Sequence, residues 1–335
     1  MSSELDKLRS VLTHYDLGDI RTWQRIERGY VNQSWILQTP GGRVVLRCRH
    51  PDLGQPDLVE AQHALIQHLF FAGFPAPQIV MTHSATTFVH LNGKIFEVHR
   101  HIPGVMCDES NPAHLEAAAE TLARYHLIVE GFDHPALHPV RERYGPGRLA
   151  RLVGRLRHDA DGVQSRRSEQ LIAQFEAHVR EIAKGLARLQ DLPQCIIHGD
   201  YYSENLICEQ NRIVGVVDYD QAQWSQRALE IAEAMIYFAR ERSQRFKHIV
   251  YGGAMELDVA GRFLAAYKGV IGLAAKELEA LPYLIRTIWM CAALDPPLLP
   301  RLRLDRDECA LSEALVLANW ARAHAGDIEQ MAFDV

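Results

Sequence analysis

The sequence has no unbroken apolar run of the roughly 18 residues that a membrane-crossing helix requires, so no transmembrane segment is expected. It does not open on a signal-like stretch either, since Met1-Ser2-Ser3-Glu4-Leu5-Asp6-Lys7 holds no apolar core. Positive charge is in deficit: 36 lysines and arginines face 42 aspartates and glutamates, a net charge of −6. That balance argues against a general nucleic-acid binder. Cysteine is sparse and unpatterned. Cys48, Cys107, Cys195, Cys208, Cys291 and Cys309 contain no C-x-x-C, which argues against a disulfide framework or a zinc knuckle. Internal repeats and low-complexity tracts are lacking as well. Without a membrane or export signal, and with thiols expected to be reduced, the cytoplasm is the expected setting.

What is present is an ordinary globular composition, 47% hydrophobic and 23% charged over 335 residues, enough for one large domain or two modest ones. Its character changes near residue 100. Before that point, residues 34–39 and 43–49 are β-rich runs joined by Pro40-Gly41-Gly42, and residues 86–91 and 94–99 flank Asn92-Gly93. Asn-Gly is a two-residue hairpin signal because both central positions need positive φ. Between the hairpins, Leu58, Ala61, Leu65 and Leu69 recur at helical spacing, predicting a helix over 57–72 that Gly73, Pro75 and Pro77 stop. After residue 105 the pattern is helical. Asn111-Pro112 reads as an N-cap and first helical position, and Leu115, Ala119, Leu122, His126 and Val129 follow one face until Gly131. Further helices are expected over 148–157, 169–190 and 228–325, the last broken near Gly252-Gly253 and Pro296-Pro297. The expected class is α+β: an antiparallel sheet with one helix, then a larger, mainly helical part.

A β-rich island at 194–219 interrupts the helical part. Its apolar runs are 195–197, 206–208 and 213–217, and the last two can pair as a hairpin around 209–212. Asn205 then begins one strand and Asp218 follows the end of its antiparallel partner, so both lie at one end. Asp200 follows the preceding short run by three residues. Two carboxylates and an amide oxygen meeting at one spot suit a hard cation such as Mg²⁺, which takes oxygen ligands and phosphates. One further carboxylate role, orienting a hydroxyl and accepting its proton, completes the parts that phosphoryl transfer needs.

These residues carry a resemblance. His198-Gly199-Asp200, then Asn205 and Asp218, meets the H-x-D-x-x-x-x-N spacing and resembles the catalytic and metal loops of the aminoglycoside phosphotransferase and choline kinase superfamily. Glycine between His198 and Asp200 is similar to the small-molecule branch, where protein kinases usually carry arginine. Upstream, Gly29-Tyr30-Val31-Asn32-Gln33-Ser34, Val44-Val45-Leu46-Arg47, Gly73-Phe74-Pro75-Ala76-Pro77, Ile102-Pro103-Gly104 and Leu122-Ala123-Arg124-Tyr125-His126 resemble further segments of that family. The resemblance spans about residues 15–240, and its opening and length are most like bacterial type II homoserine kinases.

The resemblance implies a bilobal protein-kinase-like fold, with a nucleotide-binding lobe over 1–100 and a catalytic lobe over 101–335. It implies ATP and Mg²⁺ as cofactors and a small-molecule hydroxyl as acceptor, with homoserine, choline-like alcohols, sugars and aminoglycosides all open. Asp200 would be the base, and Asn205 and Asp218 the metal ligands. Asp220 would either reach a second metal or the substrate, or sit on the surface. His198 would brace the loop. Asn32 would lie nearest the phosphates, and Arg47 would stand where protein kinases carry the phosphate-binding lysine, paired with Glu60. The adenine would hang from backbone around residues 97–100. Tyr201, Tyr202, Ser203, Glu204, Trp224, Arg227, Glu230, Glu233 and Tyr237 are candidates for an acceptor pocket suited to an amine-bearing alcohol, or else for core packing. Two rivals remain: a protein kinase, against which stand the missing D-F-G and A-P-E and the short stretch after Asp218, and a catalytically silent nucleotide-binding module, against which stands the complete Asp200, Asn205 and Asp218 set.

Overall fold

A computed structural model of the chain describes residues 4–27, 32–138, 143–160, 166–241, 253–294 and 308–335. The first part contains α1 (Glu4–Leu12), β1 (Thr22–Ile26), β2 (Gln33–Thr39), β3 (Gly42–Cys48), α2 (Pro56–Phe71), β4 (Phe88–Leu91) and β5 (Lys94–Arg100). The strands form one antiparallel sheet in the order β1-β2-β3-β5-β4. Both expected hairpins are there. Asn92 and Gly93 adopt φ of 52° and 73°, the positive values the β4–β5 turn requires. The helix expected over 57–72 is α2, with Pro56 in its first turn.

Two elements of this first part were not read from the sequence. α1 lays Leu8, Val11 and Leu12 on the sheet core of Trp35, Leu37, Val44, Leu46 and Val98. β1 is an edge strand with Thr22–Arg25 exposed, so it carries no alternating apolar signal. α2 turns its apolar face, Ala61, Leu65, Ile66 and Leu69, into a second core that continues through the helical part of the chain.

That second part begins with β6 (Val105–Met106), α3 (Pro112–Ile128), α4 (Pro146–Ala160) and α5 (Arg166–Leu186). Asn111 caps α3 by accepting the Ala113 N–H at 3.0 Å. Next come β7 (Gln194–Ile197), β8 (Leu206–Glu209), β9 (Arg212–Val216) and β10 (Gln223–Gln226), followed by α6 (Arg227–Ala239), α7 (Leu257–Lys268), α8 (Ala275–Leu294), α9 (Glu308–Ala323) and α10 (Ala325–Asp334). The expected hairpin is β8–β9, with β6 added on the β8 side, while β10 pairs with β7. α6 is buried along its length, which makes it a rigid post behind the island. The expected break at Gly252 and that at Pro296-Pro297 lie outside the described residues. Among the described residues, no helix is long and apolar enough to cross a membrane. Cys48, Cys107, Cys195, Cys208 and Cys291 are free and buried.

Candidate active site

The β8–β9 register, Leu206 opposite Val216, sets Asn205 beside Val217, and the Val217 N–H donates to the Asn205 carbonyl at 2.9 Å. Asn205 therefore stands at the mouth of the hairpin next to Asp218. Its amide Nδ2 donates to both the Asp200 carbonyl, at 2.8 Å, and Asp200 Oδ2, at 3.0 Å. Asp200, Asn205 and Asp218 are thus brought together, and Asn205 spends its N–H₂ on Asp200.

The loop before them is over-determined. His198 is fully buried. Its Nδ1 accepts the Asp200 N–H at 3.3 Å, so Nε2 carries the proton it donates to the Val217 carbonyl at 3.1 Å. Burial holds its pKa below the ordinary value, so it braces the loop as a neutral ring. Gly199 has φ of 76°, and a Cβ there would lie 2.2 Å from the Gln221 carbonyl oxygen. Its N–H donates to Glu230 Oε1 at 2.7 Å, and Glu230 Oε2 meets His126 Nε2 at 2.8 Å. Glu230 on α6 is therefore a loop brace and does not reach a pocket. Asp200 itself is raised to about 7: burial is the main cause, the Glu233 and Asp218 charges add to it, and Arg143 and Asn205 oppose it. A carboxylate poised there suits proton acceptance near neutrality.

Across from this hairpin, β3 presents Arg47 and Arg49 on one face, both buried. Arg47 bonds Glu97 Oε1 at 2.9 Å, Asp218 Oδ1 at 3.0 Å and Asp220 Oδ2 at 2.9 Å. Arg49 bonds Glu97 Oε2 at 2.8 Å and Asp220 Oδ1 at 3.1 Å, and its Nη1 donates to Gln62. Burial works against the charge of Asp220, but Arg47 and Arg49 outweigh it and hold its pKa below the ordinary value. Asp218, its side chain 41% exposed, goes the other way, raised by its partial enclosure and by the Asp220 charge. The surface alternative for Asp220 is thereby removed. Asn32 also reaches this cluster, donating from Nδ2 to Asp220 Oδ2 and accepting the His50 N–H at 2.8 Å. Residues 28–31, the start of the expected glycine-bearing loop, lie outside the described residues.

One expectation needs correcting. Glu60 does not pair with Arg47. It is exposed and lines a hollow of about 670 Å³ with Thr13, His14, Gln67 and Thr82, a set that contains neither Arg47 nor Asp200. The helical phase of α2 instead turns Gln62 and His63 inward. Gln62 Nε2 donates to the Asp220 carbonyl at 2.9 Å, and His63 Nε2 meets Glu97 Oε2 at 2.8 Å. The acidic partner of Arg47 comes from the neighbouring strand, because the β3–β5 register sets Glu97 directly opposite it. Most of the backbone of residues 97–100, where the adenine is expected to hang, is taken up within the sheet. It is in the ladder with β3 on one side, and on the other Glu97 faces Phe88, the Val98 carbonyl accepts the Val80 N–H and the Arg100 N–H donates to the Gln78 carbonyl. The first segment released from the sheet runs over residues 102–104.

The remaining substrate candidates divide. Trp224 donates to Gln194 and stacks on His138, and Arg227 pairs with Glu277, so both belong to the scaffold. Tyr201 is buried and donates to the Ala118 carbonyl. Ser203 bonds Glu109, while Glu204 is exposed. Tyr202 and Tyr237 lie against each other, ring centroids 5.4 Å apart, and Tyr237 donates to Glu233 at 3.1 Å. Glu233 also receives the Tyr144 hydroxyl and pairs with Arg143. The sequence reading missed Arg49, Gln62, His63, Glu97 and Arg143. Only Arg49 carried a signal, its position two residues from Arg47 on the same strand face.

The arrangement is one side-chain oxygen set at a hairpin mouth, one buried basic pair opposite, and an acidic and aromatic wall beside Asp200. Residues 22–254 match the phosphotransferase enzyme family. Over 287 residues the chain is 27% identical to a homoserine kinase of Phenylobacterium zucineum (strain HLK1), covering 83% of this chain and 80% of that protein. Among solved structures, it superposes on a microcompartment-associated aminopropanol kinase with a TM-score of 0.69 at 17% identity, covering 97% of this chain and 99% of that one. An aminoglycoside phosphotransferase from Alicyclobacillus acidocaldarius gives 0.67 at 17% identity, covering 97% and 96%. The chain belongs to the phosphotransferase enzyme family and is a small-molecule kinase within it.

Proposed function

We propose that the chain transfers the γ-phosphoryl group of ATP, with Mg²⁺, to the hydroxyl of a small amine-bearing alcohol such as homoserine or an amino alcohol. The observation that carries this reading is the meeting of Asp200, Asn205 and Asp218 at the β8–β9 mouth, facing Arg47. Asp200 accepts the proton of the acceptor hydroxyl as its oxygen attacks phosphorus, a general-base role that its raised pKa supports. Asn205 Oδ1 and a carboxylate oxygen of Asp218 would hold Mg²⁺. Their donor chemistry fits, being hard oxygens only, with Asp218 open at the cleft wall. Bound there, Mg²⁺ supplies neutralisation of charge on the phosphate oxygens.

Arg47 draws the phosphates from the sheet side, where a guanidinium keeps its charge at any working pH. Asn32 sits at the same end of β2, and residues 102–104 offer backbone to the adenine. Glu60 has no part in this arrangement. The cleft lies between a lobe ending near residue 100 and the helical lobe after it. The acceptor lies against Glu233, Tyr202 and Tyr237, where a carboxylate and aromatic faces favour an ammonium group. The homoserine kinase relative and the aminopropanol kinase neighbour support an amine-bearing acceptor. A protein substrate is disfavoured by the short passage from Asp218 to the start of α6 at Arg227, which leaves no activation segment.

A coupled ADP-release assay with Mg-ATP over a panel of hydroxyl metabolites tests the reading. The expected result is turnover with one or more amine-bearing alcohols, lost when Mg²⁺ is chelated. Turnover with none of the panel, or undiminished turnover in chelator, would overturn it.

A further inference from the structure

Beside Asp200 lies a guanidinium that the roles above leave unused. Arg143 precedes α4, and its Nη2 meets Glu233 Oε1 at 3.3 Å. Its guanidinium carbon lies 4.9 Å from the Tyr144 ring centroid. Its Nη1 is buried and has no hydrogen-bond partner among the described residues. A guanidinium carries five N–H donors in a planar fork, so one ion pair at 3.3 Å leaves most of its capacity unfilled. An unsatisfied buried donor is costly, and native proteins rarely keep one without a use for it. The side chain as a whole is 26% exposed, so part of it is accessible to a ligand.

Glu233 is arranged in a complementary way. Its Oε1 receives Arg143, the Tyr144 hydroxyl at 3.0 Å and the Tyr237 hydroxyl at 3.1 Å. None of the described residues donates to its Oε2. Tyr237 lies against Tyr202, which is two residues from Asp200 in the loop, so the Arg143–Glu233 pair and the base share one wall. The Arg143 and Asp200 charges are close enough to act on each other. A proton acceptor, a carboxylate and an unfilled cationic fork therefore stand together. An alcohol bearing one ammonium and one carboxylate has the three matching groups.

We propose that Arg143 is the residue that selects the acceptor: its unfilled fork binds the carboxylate of an amino-acid alcohol, while Glu233 takes the ammonium and Asp200 the hydroxyl. The proposal rests on the phosphotransfer reading above and narrows it, separating amino-acid alcohols from amino alcohols that lack a carboxylate. Arg47 is the cation on the phosphate side, so Arg143 answers to the acceptor and not to the nucleotide.

The test compares L-homoserine with 3-aminopropan-1-ol, which is the same molecule without its carboxylate, and with homoserine amide, which keeps the shape and loses the charge. The wild type should favour L-homoserine over both by about 10- to 100-fold in kcat/KM, the range for a charge-assisted hydrogen-bonded pair. Arg143→Gln should collapse that ratio toward one, mainly through KM for L-homoserine, and Arg143→Lys should restore part of it. The wild-type comparison needs no variant, so a poorly folding Arg143→Gln still leaves the proposal exposed to refutation. A wild-type ratio near one overturns it. So does an equal loss for all acceptors in a well-folded Arg143→Gln, which would place Arg143 on the phosphoryl group or in the scaffold. Turnover confined to hydroxyl compounds without a carboxylate would also overturn it while leaving the phosphotransfer reading intact. Turnover of no hydroxyl compound would defeat that reading itself.

Discussion

Glu97→Gln, set against Glu60→Gln, measures whether the buried basic pair is held from β5 or from α2. Glu97 is fully buried and accepts Arg47 Nη1 at 2.9 Å on Oε1, and Arg49 Nε and His63 Nε2, each at 2.8 Å, on Oε2. Burial works against its charge, yet Arg49, Arg47 and His63 outweigh that and hold its pKa well below the carboxylate range. Glutamine keeps the volume but turns an N–H₂ toward at least one of these donors, whichever way the amide is placed. His63 can adapt by changing tautomer; neither arginine can. Removing one partner of a buried ion pair costs about 3–5 kcal/mol. The lower end applies, because Arg47 keeps Asp218 and Asp220 and Arg49 keeps Asp220 and Gln62. With an unfolding entropy of about 0.7 kcal/mol/K for a chain of this length, a loss of about 3 kcal/mol lowers Tm by roughly 4 °C. Glu60 is exposed, and Glu60→Gln should move Tm by less than about 1 °C. Thermal melts at pH 7 decide the matter. The Tm rise on adding Mg-ATP should also shrink in Glu97→Gln, because Arg47 loses its anchor, and not in Glu60→Gln. A Glu60→Gln drop as large as that of Glu97→Gln would refute the β5 assignment.

Gly199→Ala places a Cβ 2.2 Å from the Gln221 carbonyl at a φ of 76°, so turnover should fall at least about 100-fold and stability by about 2 kcal/mol, read by ADP release and urea melts. His99 is buried and held neutral, its pKa lowered to about 3 by burial. Below pH 6.5 the unfolded chain takes up a proton that the native His99 refuses, so stability falls with decreasing pH by about 1.4 kcal/mol per unit from this group. His99→Gln should therefore flatten the slope of stability against pH between 6 and 4 by about one proton, and an unchanged slope would contradict the assignment. Asp218→Asn removes a charged oxygen from the metal set, so the Tm rise with Mg-ATP should diminish and return in part at high Mn²⁺; a full rise at ordinary Mg²⁺ would count against Asp218 as a ligand.

The placement of the island's residues was legible because it is set locally. Asp200, Asn205 and Asp218 lie within nineteen positions of one another, and a short hairpin with a polar turn fixes which ends meet. The β4–β5 turn was legible for the same reason, Asn92-Gly93 being a backbone requirement written in two residues. The partner of Arg47 was not. Choosing Glu97 over Glu60 needs the β3–β5 register and the phase of α2, both set by long-range packing. Residues 97–100 looked like the end of a strand, but bonds from Val80 to the Val98 carbonyl and from Arg100 to the Gln78 carbonyl also tie them from the far side, which needs long-range packing to foresee. Arg143 is 57 positions from Asp200 and belongs to no motif, so only folding brings it to Glu233.

The central claim is that Asp200 takes the proton of an acceptor hydroxyl. Asp200→Asn keeps the shape and the bond to Asn205 but removes the basic oxygen. With the acceptor found by the ADP-release screen, turnover should fall by about 10² to 10⁴-fold while the Mg-ATP-induced Tm rise stays and added Mn²⁺ restores nothing. A stable Asp200→Asn protein that turns over within a few-fold of wild type would contradict the account.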